Sequence, residues 1–352
     1  MLPLEGDPSI RSGDRWARFV ERHFLWLLVG CYALATLWPG PGLAMKHWEW
    51  SPGALANQPL TLSLLLLAVM LFIAAILTDI QRIRTVFQNP LLLCLSIAAV
   101  WLGPALLAVV AGWVVPWAVD GQATVGLLVG LALVAAMPVA NSSVGWTQGA
   151  AGNLALGLAL VVISISLSPW ATPQLLTWLG MSLSPAERAY CEQLVTNFSG
   201  VFFIVWVLLP TAAGLACRYL LKPERVAPAA NWLTLASGAA LLILNYINSA
   251  LALPKVRESP PALLAATAIL AAALSIVGLA SGWAIARVLR LPKETRSALL
   301  FGLSMKHTGL ALILAAAVLH NQPLATLMIV LATLMQHLLA GTVHWRLQKE
   351  EE

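Results

Sequence analysis

The chain has 352 residues, of which 60% are hydrophobic and 10% are charged, and its mean hydropathy is +0.83. Soluble domains are usually about one quarter charged, so this composition excludes a soluble globular protein and predicts an all-α polytopic membrane protein. The net charge of +5 does not indicate nucleic-acid binding, because the basic residues lie in short segments between apolar runs. The four cysteines are scattered without a CxxC motif, so neither a metal site nor a cofactor is predicted.

Ten apolar runs follow one another along the chain, and runs of about 20 residues suffice to cross a bilayer. The first follows an arginine-containing segment (residues 1–23) and ends in Trp38-Pro39-Gly40-Pro41, which is not a small-residue cleavage site, so we expect a span rather than a signal peptide. A loop with Glu187, Arg188 and Glu192 is predicted between spans five and six. The predicted spans are 24–38, 59–78, 91–111 with Pro104 inside, 124–151, Asn153 to Pro169 or Pro173, 194–217, 230–253, 261–286, 297–319 and 322–345.

The distribution of basic residues predicts the orientation. With both termini in the cytoplasm, the cytoplasmic segments hold fifteen Lys and Arg, whereas the outer loops hold only Lys46, Arg188, Lys255 and Arg257. The positive-inside rule therefore favours ten spans in the cell membrane (inner or plasma), with residues 1–23 and 346–352 as cytoplasmic ends of a transporter domain over residues 24–345.

Two polar interruptions lie inside long uncharged stretches. The first runs from Pro138 through Asn141-Ser142-Ser143 to Thr147-Gln148, and the second is Ser304-Met305-Lys306-His307-Thr308. Because unsatisfied backbone is costly in lipid, a helix breaks there only where protein or a wet cavity satisfies it. Asn141 and Lys306 are 165 positions apart, with five spans in each half. This spacing favours two inverted five-helix repeats with broken helices 4 and 9, the plan of secondary transporters.

Lys306 is the one Asp, Glu, Lys or Arg inside a predicted span away from its ends. A lysine at the centre of a membrane helix costs roughly 2.5–3.5 kcal/mol, so it usually has a partner or a function. We interpret it as a fixed positive charge or a proton carrier, with snorkelling to the interface as the structural alternative.

Other polar residues are candidates for a substrate or coupling site. His307 either relays protons or hydrogen-bonds a substrate, or it is a neutral histidine satisfied by backbone groups freed at the break, and the two interpretations are about equally favoured. His337 is predicted to pack between helices or to make an interhelical hydrogen bond. The uncharged candidates lie at the breaks or on span seven, where they either line a cavity or satisfy backbone and interhelical hydrogen bonds: Asn141, Ser142, Ser143, Thr147, Gln148, Thr308, Asn245 and Asn248. No P-loop and no membrane carboxylate pair is present, so an enzyme is not predicted.

At these residues the chain resembles the bile acid:sodium symporter family over about residues 24–345. The resemblance rests on an ordered set of motifs: Asp79 with Asn89-Pro90, Pro104, Pro138 to Ser143, Gly152-Asn153, Ser166 to Pro169, Leu209-Pro210 and Met305 to Ala311. It implies crossed broken helices 4 and 9, a panel of spans 1, 2, 6 and 7, and a core of spans 3–5 and 8–10. It also implies organic-anion substrates, from bile acids to smaller carboxylates and sulphonates.

The sequence departs from that family where sodium is bound. The family's glutamate and glutamine at the second break fall on Gly302 and Lys306, and a span-three glutamine falls on Ala99. We hypothesise that Lys306 takes the place of a sodium ion, which predicts an alternating-access transporter of a small organic anion that is sodium-independent or proton-coupled.

Three alternatives are retained. The first is sodium symport through backbone carbonyls and the hydroxyls of Ser143, Thr147 or Thr308. The second is a membrane sensor or binding protein that does not transport. The third is an arsenite-type permease, which the absence of a cysteine at either break disfavours.

Overall fold

The computed structural model describes residues 20, 23, 26–50, 60–77, 86–119, 121–198, 204–256 and 260–349. The described helices are α1 (Trp26–Leu37), α2 (Gly40–Lys46), α3 (Leu62–Leu77), α4 (Pro90–Val114), α5 (Gly121–Ala136), α6 (Ser142–Gly149), α7 (Leu154–Ser182), α8 (Pro185–Phe198), α9 (Leu209–Val226), α10 (Ala230–Val256), α11 (Pro261–Val288), α12 (Lys293–Ser304), α13 (Thr308–Val318) and α14 (Pro323–Lys349). Short turns of 3₁₀ or π helix extend α4 and precede α9 and α10, and Glu49–Trp50 pairs antiparallel with Leu60–Thr61.

Six of the described helical stretches are long and apolar enough to cross a membrane, and there are seven if the bent pair of α1 and α2, at 94° to each other, is counted as one broken span. Their bounds are Pro90–Trp117, Leu154–Ser182, Ile204–Leu221, Ala227–Ala250, Pro261–Val288 and Pro323–Leu347. Three shorter apolar helices, Leu62–Leu77, Ala123–Ala136 and Thr308–Val318, accompany them. The chain is therefore an all-α, multi-pass membrane protein, as its composition predicts. Part of the predicted topology lies outside the described residues. This part comprises the N-terminal segment 1–23, apart from residues 20 and 23, and the charged residues Asp79, Arg82 and Arg84.

The helices begin at recognisable sequence signals. Asn89 accepts a hydrogen bond from the Leu92 N–H at 3.3 Å, and Pro90 follows at the first position of α4. Asn153 caps α7 in the same way, accepting from the Leu156 N–H at 3.1 Å. Such caps satisfy N–H groups that a helix start leaves without partners.

The core is built around the broken helices. Residues 124–140 and 297–315 are buried throughout, so α5 and α13 are hydrophobic on every side and other helices surround them. Close contact depends on small residues: a Cβ on Gly278 of α11 would lie 2.6 Å from the Ser304 Cα. A Cβ on Gly214 of α9 would lie 2.5 Å from the Phe72 carbonyl oxygen of α3. Small residues at such positions let membrane helices approach closely.

Two predicted boundaries are wrong. Helix α7 does not end at Pro169 or Pro173 but continues to Ser182. Pro169 lacks the N–H that would bond the Ile165 carbonyl, and the Ser168 hydroxyl donates to that carbonyl instead at 2.8 Å, so the helix continues. The predicted loop with Glu187, Arg188 and Glu192 is helix α8, which buries Glu187, Cys191 and Leu194 and exposes Arg188 and Glu192.

Candidate functional site

The two helix breaks lie against each other as a short antiparallel pair. Val139, between α5 and α6, is opposite Lys306, between α12 and α13. The Ala140 N–H donates to the Met305 carbonyl and the His307 N–H donates to the Pro138 carbonyl, both at 2.9 Å. Each break therefore satisfies backbone groups that the other leaves without helical partners.

Side chains from neighbouring helices satisfy further backbone groups of the breaks. The Val139 N–H donates to the Ser164 hydroxyl of α7, and the Lys306 N–H donates to the Gln336 side-chain oxygen of α14, both at 3.0 Å. The Ala136 carbonyl accepts from the Trp101 indole at 3.1 Å and from the Thr172 hydroxyl at 2.8 Å. None of these four side chains is among the site residues predicted from the sequence. Ser164, Thr172 and Gln336 are polar residues within apolar spans, and that polarity is the sequence feature that could have indicated a role at the breaks.

The Lys306 side chain is 3% exposed and donates to three backbone carbonyls. Its Nζ lies 3.1 Å from the Ala135 oxygen and 3.0 Å from the Met137 oxygen, and it also donates to the Val100 oxygen. Three N–H donors on an ammonium match these three acceptors, and none of the acceptors carries a formal charge. The ammonium is therefore held by backbone dipoles alone.

Each of the three carbonyls is available because of a local interruption in hydrogen bonding. Ala135 and Met137 lie at the end of α5, where the last carbonyls of a helix lack intrahelical partners and carry its negative dipole end. Val100 lies in the middle of α4, four residues before Pro104. Because proline has no N–H, the Val100 carbonyl has no intrahelical donor and accepts from Lys306 instead.

His307 and Thr308, which follow Lys306 in the second break, are also buried. The His307 Nδ1 accepts from the Leu310 N–H at 3.2 Å and so caps α13, which agrees with the predicted structural role of a histidine bonded to backbone at the break. Its Nε2 is buried and makes no hydrogen bond with any described residue. The Thr308 N–H donates to the Lys306 carbonyl at 2.8 Å, and the Thr308 side chain is buried.

The polar side chains after the first break lie at the other end of the paired segment, beyond Ala140 and Met305. Both amide atoms of Asn141 and the hydroxyl of Ser143 are buried without a hydrogen-bond partner among the described residues. The Thr147 hydroxyl donates to the Ser143 carbonyl at 2.8 Å, Ser142 is partly buried, and Gln148 is exposed. The Asn141 and Ser143 atoms are thus available to a ligand or to water, separately from His307.

Asn245 and Asn248 lie on α10, against the second broken helix rather than the first. Asn245 accepts from the Tyr32 hydroxyl at 3.0 Å, and its amide donates to the Leu241 carbonyl at 2.8 Å. The Asn248 amide donates to the Leu244 carbonyl at 2.8 Å, and a Cβ on Gly309 of α13 would lie 3.3 Å from the Leu244 side chain. Each amide uses one of its two N–H groups in these bonds, and the nearby Ser249 hydroxyl is buried without a hydrogen-bond partner among the described residues.

An aromatic cluster follows the first break on α6. The Trp146 indole donates to the His337 Nδ1 at 3.3 Å, so His337 makes an interhelical hydrogen bond, one of the two roles predicted for it. Trp146 also stacks on Phe301 with ring centroids 6.2 Å apart and meets the His344 ring edge-on at 5.9 Å. These contacts join α6 to α12 and α14.

Comparison with known proteins identifies the family. A model of the Sodium Bile acid symporter family matches residues 64–256, more than half of the chain, including the first break. The chain is also 23% identical over 284 residues to the uncharacterized protein YbaS of Bacillus subtilis (strain 168), covering 81% of this chain and 88% of YbaS. The chain belongs to the sodium bile acid symporter family.

Proposed function

We propose that this protein is a secondary transporter of a small organic anion that carries its own cation, the Lys306 ammonium, where relatives bind sodium. The observation that carries this proposal is the position of the ammonium among three backbone carbonyls, where residues 138–140 of the first break pair with residues 305–307 of the second. This paired region is called the crossing. Membership of the sodium bile acid symporter family supports a membrane transporter with a small-molecule substrate.

The proposed architecture has ten spans in two inverted five-helix repeats, with both termini in the cytoplasm. The two breaks occupy corresponding places in the halves, and they contact each other. Helices α3 and α9 pack together, and α3 also packs against α10, which supports a panel that moves as a unit against a core containing the crossed breaks. Alternating access would be the rocking of this panel around a fixed site.

The surroundings of Lys306 fit a lysine better than a sodium ion with a carboxylate. Sodium prefers hard oxygen ligands and a negative charge, and the position where relatives have a glutamate is Gly302 here. A Cβ on Gly302 would lie 2.7 Å from the Leu160 Cδ1, so a glutamate would displace Leu160. The ammonium needs no carboxylate, because the helix end and the freed carbonyls supply a negative potential.

The proposed substrate and coupling site combines Lys306 with the remaining polar groups near the breaks. Asn141 and Ser143 offer buried unpaired atoms at one end of the crossing, and His307 offers its Nε2 at the other. Ser142, Thr147, Gln148, Thr308, Asn245 and Asn248 complete the proposed lining. An organic anion near Lys306 would gain from a positive charge that relatives obtain from sodium.

The test is the uptake of external radiolabelled taurocholate, or of smaller carboxylates or sulphonates, by proteoliposomes that are empty or loaded with the same unlabelled anion. We expect uptake or counterflow that is equal in sodium and choline chloride, and a pH gradient distinguishes proton coupling from uniport or exchange. Strict dependence of flux on sodium in the wild type would refute the built-in cation and favour sodium symport. Saturable binding without flux would favour the non-transporting sensor instead.

A further inference from the structure

A second basic site lies at the end of α11, away from the crossed breaks. The chain turns there into α12 around a cavity of about 270 Å³. Three arginines line the cavity, Arg287, Arg290 and Arg296, together with the ring of Trp283. Such a concentration of guanidinium groups around one concave surface indicates an anion site.

A tight turn brings the three arginines together. Arg290 adopts a left-handed backbone conformation with a φ of 51°. The Leu291 N–H then donates to the Ala286 carbonyl at 2.9 Å, which closes the end of α11. Helix α12 begins at Lys293, and its first turn carries Arg296 back to the side of the cavity formed by α11.

Two of the three arginines of this cavity, Arg287 and Arg290, are not neutralised by a described carboxylate. Among the described residues, neither Arg287 nor Arg290 forms an ion pair, and the Arg287 guanidinium lies over the Trp283 ring at 5.1 Å. Lys293 is directed elsewhere, donating to the Leu347 carbonyl at 3.1 Å. Like charges around one cavity repel each other, and a bound anion would relieve that repulsion.

An exposed apolar face of α11 leads to the cavity. Ile269, Ile276 and Trp283 recur every seven residues, so they lie along one side of the helix, and they are 67%, 50% and 48% exposed. Arg287 follows Trp283 by four positions on the same side of α11, and Arg290 lies in the turn that ends the helix. This side of α11 is therefore apolar along the helix and basic at its end. A phospholipid has the matching arrangement, with apolar acyl chains and a charged headgroup.

We propose that this cavity binds the phosphate of an anionic phospholipid headgroup, with an acyl chain along the Ile269, Ile276 and Trp283 face. The charge distribution predicts that this end of α11 is cytoplasmic. Basic pockets between membrane helices on that side bind anionic lipid headgroups by charge and by bidentate hydrogen bonds from arginine. The proposal is independent of the substrate and of the role of Lys306.

The test measures the anisotropy of dioleoylphosphatidylglycerol carrying a fluorescent acyl chain, bound to purified protein in neutral detergent. The double variant Arg287→Gln/Arg290→Gln is compared with Arg218→Gln/Arg225→Gln, which removes two positive charges from the same predicted side but outside the cavity. We expect the cavity variant to lose affinity roughly twenty-five-fold, at roughly fivefold for each arginine, and the control to stay within about twofold. Unlabelled phosphatidylglycerol should compete at least about tenfold better than phosphatidylcholine.

Arg287 and Arg290 are exposed, so we expect the double variant to fold. If the thermal unfolding of the double variant differs from that of wild type, the single variant Arg290→Gln is used in its place. Equal losses in the two double variants would reduce the effect to general surface charge and overturn the proposal. Competition by millimolar inorganic phosphate as strong as that by the lipid would also overturn it, in favour of a soluble anion.

Discussion

Replacing Lys306 by methionine tests whether the ammonium supports the crossing of the breaks. Methionine keeps an unbranched side chain of similar length but donates no hydrogen bond, so the carbonyls of Val100, Ala135 and Met137 lose their donor. At about 1–3 kcal/mol for each buried unsatisfied group, the loss is about 3–9 kcal/mol. Native proteins are stable by about 5–15 kcal/mol, so we expect a fall in Tm of about 10 °C or more.

Replacing Lys306 by glutamine asks whether the same cage accepts sodium once the ammonium is absent. The amide removes the charge, and the carbonyls at the end of α5 remain suited to a cation. At 100 mM sodium and a Kd of about 10 mM, binding would stabilise the variant by about 1.4 kcal/mol, or roughly 3–5 °C. We expect no sodium-specific rise in wild type, because its own ammonium fills the cage.

The assay is thermal unfolding in detergent, followed by tryptophan fluorescence, in sodium, potassium and choline chloride at matched ionic strength. Arg225→Gln is the control, since it removes an exposed positive charge at the end of α9. A sodium-specific rise in wild type, or a Lys306→Met variant as stable as the control, would refute the reasoning.

Three further predictions concern the packing and the thiols. Pro104→Ala supplies a competing N–H to the Val100 carbonyl, so we expect it to lower the Tm of wild type but not of Lys306→Met, a coupling that a double-mutant cycle measures. Gly278→Ala places a Cβ against the Leu303 carbonyl oxygen and should destabilise the protein by about 1–3 kcal/mol in thermal unfolding, whereas Gly145→Ala, with open space around it, should not. Burial raises the pKa of the Cys191 thiol to about 12, so iodoacetamide at pH 8 should alkylate it far more slowly in the folded protein than in sodium dodecyl sulphate; equal rates by peptide mass spectrometry would contradict this.

Much of the crossing could be predicted from local sequence. Pro138 followed by polar residues, and a lone charge at Lys306 in a long apolar stretch, are features that only a satisfied break accommodates. Pro104 was also visible, as a proline inside a predicted span. The sequence thus identified both breaks and the residue between α12 and α13 that joins them to α4.

The partners at the crossing could not be predicted, because they depend on which helices meet. The pairing of Val139 with Lys306 joins residues of opposite halves, and Gln336 reaches the Lys306 N–H from α14. Nothing in the local sequence distinguishes Ser164 from other small polar residues of apolar helices; its role follows only from its contact with the Val139 N–H. Local periodicity contains no information on such long-range contacts.

The error at α8 had a different origin. Three charged residues in a short segment favour a loop by composition, but Arg188 and Glu192 form the exposed side of an amphipathic helix and Glu187 lies on its buried side. Cys191 and Leu194, both fully buried, lie three positions apart, and Pro185 starts the helix at a position that tolerates proline. Their spacing was the signal that separates a helix from a loop.

A comparison of two prolines explains why the crossing needs a lysine rather than a neutral side chain. Pro169 frees the Ile165 carbonyl within α7, and the adjacent Ser168 hydroxyl satisfies it without help from another helix. Pro104 frees the Val100 carbonyl within α4, and its donor comes from a residue 206 positions away. A neutral serine is sufficient where one carbonyl is free, whereas at the crossing the end of α5 adds two more carbonyls and a negative helix dipole. A single side chain that serves three acceptors and also matches that dipole must carry several donors and a positive charge, and lysine is the residue whose compact ammonium provides both.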